Sequence, residues 1–511
     1  MGDAGLFPAI NLLAFVLCVV FLAYVTLILV AYLGDRPQPP GDAGALDWHL
    51  VLPCLDEEAV IERTVRLLAR QFPLAHIWCV DDASTDRTRE ILGMLQLELE
   101  HLQVLTRAAP DAQVGKGAAL NAAWQQIRAQ VAATGRDPEK VVVGVVDADG
   151  ELDPACFATL AGATFFGDAD IAAVQVAVRI SNRSAGPRPQ SSRWWRRLLV
   201  DLQDLEFVGP IGAMQLLRRR TGSVSMGGNG QFSRLSVLNE IATWAGTPWH
   251  GALLEDFELG LHVLLTGRST AYCHQSWVAQ EGLPSVRALV RQRSRWSQGS
   301  MQCVQYLRPV LASPRIGHVA AFEICYFLVL PWLQLLGTAV YAIAYCILAW
   351  YLVTVGISPS AWLQSGQWAV LPLLLLTGIG PFFVWGPVYR QRVERTTTRR
   401  RAVLLGFSLF VYSNLHAIAS WWAFVRYLND RDDWKKTDRL VAAPSAIGGP
   451  TAGTQDAAPA PVASGDHPVR YVPRRTDPNG VPARSYAPTR SLSDPGHGPG
   501  PAQRHRTGVD G

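Results

Sequence analysis

Two aspartates one residue apart, Asp147-Ala148-Asp149, follow directly on the apolar run 141–146. Carboxylates at i and i+2, on a turn where a buried strand ends, can converge on one hard divalent cation. Such an ion takes oxygen ligands and leaves room for phosphate oxygens, which suits Mg²⁺ or Mn²⁺. Asp81-Asp82 ends an earlier apolar stretch in the same way, and a carboxylate there can accept hydrogen bonds from a uracil imide or a ribose hydroxyl. Capping of the following helix is an equal role for Asp81 or Ser84. Glu255-Asp256 opens an amphipathic stretch, where acids serve a helix N-terminus or, for Asp256, general base catalysis on an acceptor hydroxyl. Gln292-Arg293-Ser294-Arg295-Trp296, preceded by Arg291, sets cations and an amide where a leaving diphosphate would be met, and Trp296 offers a flat face to a sugar ring. Arginines ahead of an apolar stretch also suit lipid headgroups.

The elements that must position these residues alternate. Residues 48–53 and 76–80 are strand-like, 57–70 has helical spacing, and the turn cluster Asp82-Ala83-Ser84-Thr85-Asp86 opens a helix through Leu97. A short strand at 104–105, a helix over 117–131 and the continuous run 141–146, typical of a buried parallel strand, complete the pattern. Such alternation implies a doubly wound α/β sheet, in which ligands bind at the carboxyl ends of the strands. Both aspartate clusters fall there.

The chain is 511 residues long, with 49% apolar residues and only 17% charged ones. The apolar residues gather at 12–32 and again between 318 and 428, which predicts an N-terminal anchor and further spans near 319–355, 368–389 and 404–425. Basic residues over 390–401 and 426–439 flank the last stretch. Both flanks can be cytosolic only if that stretch is a hairpin or an interfacial element. A net charge of +4 gives no support to a nucleic-acid partner. Eight scattered cysteines, with no C-x-x-C pair, read as small buried thiols in a reducing compartment. Residues 441–511, rich in Pro, Gly and Arg, read as a disordered tail.

The order of these motifs resembles the family 2 glycosyltransferases of the GT-A fold, in particular the membrane-integrated synthases of β-linked polysaccharides such as cellulose and hyaluronan. The resemblance covers about residues 48–300, through Leu52-Pro53-Cys54-Leu55-Asp56-Glu57-Glu58, Val80-Asp81-Asp82-Ala83-Ser84-Thr85-Asp86, Gly115-Lys116-Gly117, Asp147-Ala148-Asp149, Glu255-Asp256 and Gln292 to Trp296. It implies that Asp82 contacts the uridine, that Lys116 lies near the donor, and that Asp149 is the direct metal ligand beside Asp147. It further implies that Asp256 is the base, with Gln292, Arg295 and Trp296 closing the donor and acceptor sites. One departure is Gly227-Gly228-Asn229-Gly230-Gln231-Phe232, which stands where cellulose synthases carry a Phe-Phe-Cys-Gly-Ser-type motif.

The expected architecture is an anchor over 1–34, a cytosolic GT-A domain over 45–315, C-terminal membrane helices with interfacial segments over 316–440, and the tail. The expected activity is inverting, metal-dependent transfer of a hexose from a UDP-sugar to a growing β-linked polysaccharide at the cytosolic face of the plasma membrane. The alternatives are transfer of one sugar to a membrane lipid, or a catalytically inactive membrane scaffold. A glycan or lipid acceptor and membrane lipids are the expected partners, and the sequence names no protein partner.

Overall fold

The computed structural model describes residues 6–184, 193–354, 356, 360, 364 and 375–429. The 441–511 tail and the Trp434-Lys435-Lys436-Thr437 segment, which resembles a common ending of bacterial family members, lie outside the described residues. In chain order the elements are α1 (Leu6–Leu33), β1 (Asp47–Cys54), α2 (Ile61–Gln71), β2 (Ala75–Asp81), α3 (Thr88–Glu98), β3 (Leu102–Thr106), α4 (Lys116–Thr134), β4 (Val141–Val145) and β5 (Glu151–Leu152). There follow α5 (Cys156–Leu160), β6 (Ile171–Ile180), α6 (Trp194–Glu206), α7 (Gly212–Arg219), β7 (Gln231–Arg234), α8 (Leu235–Ala245), α9 (Glu255–Thr266), β8 (Ser269–Gln280) and α10 (Val286–Gln302). The described C-terminal helices are α11 (Leu307–Ala312), α12 (His318–Thr354), α13 (Gly380–Phe383), α14 (Trp385–Arg392) and α15 (Arg399–Leu428).

The strands form one sheet in the order β3-β2-β1-β4-β7-β6-β8-β5. Its first half is the parallel arrangement expected from the sequence, with β1 between β2 and β4 and β3 outside β2. The second half is not. β7 runs antiparallel to both β4 and β6, so the sheet is mixed rather than doubly wound throughout. The reason lies in chain direction: β7 enters from the Gly227–Gly230 turn at the carboxyl end of β4 and can only run back along it.

Both faces of the sheet are covered, as period-two alternation requires. Val51, Val80 and Val143 face Leu120, Ala123 and Ile127 of α4, while Leu50, Leu52 and Ile77 face Ile61, Val65 and Leu68 of α2 and Leu92 of α3. The sequence pattern starts α2 too early. Glu57 and Glu58 are held out of the helix because their backbone N–H groups donate to Thr88 Oγ1 (2.7 Å) and Asp86 Oδ2 (3.0 Å). The described cysteines are free thiols, and Cys54, Cys79, Cys156, Cys273 and Cys303 are buried in this core, as expected.

By length and composition, 318–343 of α12 and all of α15 are long and apolar enough to cross a membrane. Acidic side chains of α6 stitch the C-terminal helices to the sheet domain. Asp204 takes a salt bridge from Arg179 and a hydrogen bond from Tyr389 Oη of α14 (2.7 Å). Asp201 pairs with Arg401 at the start of α15. Glu323, an acid within the apolar α12, pairs with the buried Arg218.

Candidate active site

The carboxyl ends of β1, β2 and β4 open into a cavity of about 620 Å³. Asp82, Lys116, Asp147, Asp256, Gln292, Arg295 and Trp296 all line it. The fold therefore brings together side chains that lie as far apart in sequence as Asp82 and Trp296.

The two aspartates after β2 divide their work. Asp81 is fully buried, accepting from Ser84 N (3.1 Å) and pairing with Arg89 (2.8 Å). Asp82 faces the cavity and pairs with Arg107. Asp81 thus fixes the turn, and Asp82 is the one of the two that reaches the cavity.

Asp147 and Asp149 stand on the turn after β4, and that turn is clamped from two sides. Asn229 Oδ1 accepts from Asp147 N (3.1 Å), and Glu281 N donates to Asp149 Oδ2 (3.1 Å). The Asp147 side chain lies in the cavity wall, whereas Asp149 is turned toward the end of β8. Lys116, at the first position of α4, sends its Nζ to Asp147 Oδ1 (2.6 Å) and to the Gly228 carbonyl (2.6 Å). A Cβ at Gly228 would stand 3.1 Å from both Asp256 Oδ2 and Lys116 Nζ, so a larger residue would press on the ends of these two side chains.

Glu255 and Asp256 open α9 beside this lysine. Burial pushes the Glu255 carboxyl up to about 8, and the charge of Asp256 adds to the rise. Burial raises Asp256 as well, against the pull of Lys116 and the 2.7 Å hydrogen bond that its Oδ1 accepts from Phe257 N. In the site two buried carboxyls therefore compete for ionisation. Lys116 shows the converse. Burial opposes its charge, but Asp147, Glu255 and Asp256 outweigh that and hold it protonated.

α10 closes the other wall. It lies close to the Glu255 loop because Gly299 has no side chain; a Cβ there would meet Leu254 N at 2.7 Å. Arg295 lines the cavity, and burial followed by repulsion from Arg426 lowers its affinity for its proton. Such a guanidinium gains more from an incoming anion than a solvated one would. Arg293, grouped in sequence with the diphosphate-facing cations, does something else. It is buried, pairs with Glu206 (2.6 Å) and lies 4.0 Å from the Trp296 ring centroid and 5.4 Å from that of Phe207. One face of Trp296 is thus taken by a guanidinium rather than left for a sugar.

Gly228 and Asn229 were marked in the sequence only as a departure from the cellulose-synthase pattern, with no role assigned, and Glu206 was not marked at all. Asn229 carried a weak signal in its Gly-Asn-Gly setting. Glu206 carried none, since its partners Arg293, Tyr412 Oη (2.6 Å) and His416 (3.2 Å) come from distant helices.

A mixed sheet with an acidic Asp-x-Asp turn at the parallel strand ends, a basic closing helix and a deep cavity between them defines a nucleotide-sugar-type GT-A domain. Residues 47–299 match the family model "Glycosyltransferase like family 2", and this part of the chain is a glycosyltransferase domain of that family. It is 28% identical over 306 residues to a beta-monoglucosyldiacylglycerol synthase of Synechocystis, a match spanning 58% of this chain and 57% of that one. A Nostoc protein of the same name is 28% identical over 252 residues, 48% of this chain and 47% of its own. The matched part thus spans about half the length of these relatives. Among solved structures, a mannosyltransferase from Pyrobaculum calidifontis in complex with GDP-mannose and Mn²⁺ is similar in fold. Its TM-score is 0.50 at 15% identity, covering 83% of this chain and 98% of that one.

Proposed function

We propose that this protein transfers a single hexose from a UDP-sugar to a membrane lipid bearing a free hydroxyl, of the diacylglycerol type, with inversion at the anomeric carbon. The observation that carries this reading is the apolar part of the cavity lining. Besides the polar site residues, the cavity is walled by Phe207, Ile211, Met214, Phe327, Leu330 and Pro331, the last three from α12, a helix apolar enough to enter a bilayer. Aliphatic walls continuous with such a helix suit an acyl-bearing acceptor. A growing glycan needs polar and open stacking surfaces, and one face of Trp296 is already covered by Arg293. The names of the relatives support the same choice over a polysaccharide product.

In this reading Asp82 holds the nucleoside, and Lys116, Gln292 and Arg295 meet the diphosphate. Asp256 takes the proton of the lipid hydroxyl as its oxygen attacks the anomeric carbon. The bond from that carbon to the β-phosphate oxygen breaks in the same step, and UDP leaves with the electron pair. The oxygen-only donors Asp147 and Asp149 fit a hard divalent cation, Mg²⁺ or Mn²⁺, which supplies positive charge to the diphosphate oxygens. The sheet domain faces the cytosol, where the donor is found, with α1 and α12 in the membrane.

The test uses purified full-length protein in vesicles containing diacylglycerol, fed radiolabelled UDP-hexoses, with products separated by chromatography. One labelled glycolipid carrying one sugar is expected. A ladder of longer products, or label only in lipid-free polymer, overturns the reading.

A further inference from the structure

α15 passes by composition for a membrane-crossing helix, yet its contacts run along the sheet domain from one end to the other. Near its start Arg401 pairs with Asp201 and donates to Ser184 Oγ (3.0 Å). Midway Tyr412 and His416 reach Glu206. Further on Ser420 meets Ser297 (3.3 Å), and near the end Arg426 Nε donates to Gln298 Oε1 (2.9 Å). At 1.5 Å per residue, the stretch from Arg401 to Arg426 is about 37 Å long. A hydrocarbon core is about 30 Å thick. A rod that touches the soluble domain at both ends of such a length cannot also cross the bilayer.

The two faces of the helix differ accordingly. Ala402, Leu405, Leu409, Tyr412, Ala419 and Ala423 are buried against the protein, while Leu404, Phe407, Val411, Ile418, Val425 and Leu428 form an exposed stripe at helical spacing. Arg399 and Arg400 stand exposed at its start. α12 crosses over α15 through Gln334, whose Oε1 accepts from Ser420 Oγ (2.8 Å), and through Thr338, whose Oγ1 accepts from Trp421 Nε1 (2.8 Å). Past that crossing α12 is exposed, with Trp350 and Val353 turned outward.

We infer that α15 lies in the plane of the membrane as an interfacial helix. Its exposed stripe is sunk among the lipid chains at the level of the headgroups, and its basic start meets anionic lipid. α12 alone of the two candidate spans leaves the domain for the bilayer interior. Both basic flanks of α15 then sit on the cytosolic side, which reconciles their charge with the apolar run between them. The mouth of the cavity, lined by His416 of α15 and by Leu330 and Gln334 of α12, opens at headgroup depth. That last point rests on the lipid-acceptor reading, whereas the lie of the helix does not.

The experiment measures depth along the stripe. Leu404→Cys, Val411→Cys, Ile418→Cys and Val425→Cys are introduced singly into full-length protein whose Cys18, Cys325 and Cys346 are changed to alanine. Each is spin-labelled and reconstituted in phosphatidylcholine with phosphatidylglycerol. Collision with oxygen against a water-soluble nickel complex should give four depths agreeing within about 5 Å, one helical turn. A profile deepest at 411 and 418 and shallow at both ends overturns the inference. A second measurement needs no reconstitution. In sealed membranes, an impermeant maleimide should reach Arg399→Cys and Asn429→Cys from the same side as Leu97→Cys on the sheet domain. Reaction of Asn429→Cys from the opposite side alone overturns it equally. Neither result depends on which acceptor is used.

Discussion

The cavity joins two buried charge clusters that are built on opposite principles. At the sheet end, Asp147, Glu255 and Asp256 surround one lysine, Lys116, and the two carboxyls of α9 are raised by burial. At the membrane end, Glu206 is met by Arg293, Tyr412 and His416; burial works against its charge, but these partners win and hold it below the ordinary carboxylate range. The first cluster is left with acid in excess, poised for a cation or a proton. The second is balanced, and it ties α6, α10 and α15 together. Excess charge marks the chemistry, whereas matched charge marks the architecture.

The largest expected effect separates the two clusters outright. Asp256→Asn should reduce transfer by about 10²–10⁴-fold, the usual worth of a positioned base, while UDP binding measured by calorimetry is kept. Normal turnover would remove Asp256 from the role. Arg293→Met leaves Glu206 buried without its cation, and should cost about 3–5 kcal/mol of stability, read as a fall in melting temperature. If it instead abolished transfer at unchanged stability, the second cluster would belong to the chemistry.

A subtler distinction is in pH. The unfolded chain releases the Glu255 proton near 4.5, while the folded chain keeps it to about 8. Across that window the folded state binds more protons, so stability falls as pH rises. Glu206, with its carboxyl lowered, does the reverse: its contribution is present above the ordinary carboxylate range and is lost on acidification. Glu255→Gln should therefore flatten the stability profile of unliganded protein between about pH 4.5 and 8. The same change takes one of the two carboxyls out of the pair, so any limb of the kcat/KM profile near 8 that reports their shared titration should move. An unmoved limb would show that the two carboxyls do not share the titration.

The smallest effect concerns the apolar end. Leu330→Asn should lower transfer to diacylglycerol by about tenfold, roughly the 1–3 kcal/mol worth of one buried apolar side chain, with nucleotide release to water little changed. Equal loss of both would argue that Leu330 supports the fold rather than the acceptor.

Much of the sheet end was legible because its signals are local. An apolar β-branched run followed at once by Asp-x-Asp needs no distant partner to be read, and the same holds for Asp81-Asp82 and for Glu255-Asp256 at a helix start. Which aspartate caps and which faces the cavity came from the family resemblance and not from local spacing, since it turns on Arg89 and Arg107 closing in from either side. The membrane end was opaque for the same reason taken further. Glu206 sits in an ordinary amphipathic helix, and only folding brings it to residues 293, 412 and 416.

The amino-acid sequence by itself determined the family, the parallel half of the sheet and the set of acids and bases available for sugar transfer, because type and spacing along a strand or turn decide these. The tertiary structure alone decided how they are used. It turned β7 against its neighbours, gave Arg293 to Glu206 instead of a diphosphate, and raised two carboxyls by burying them together. It also laid α15 along the domain, where composition alone would have sent it across the bilayer. Burial and pairing depend on what lies within a few ångströms in space, and no local pattern of residues encodes that neighbourhood.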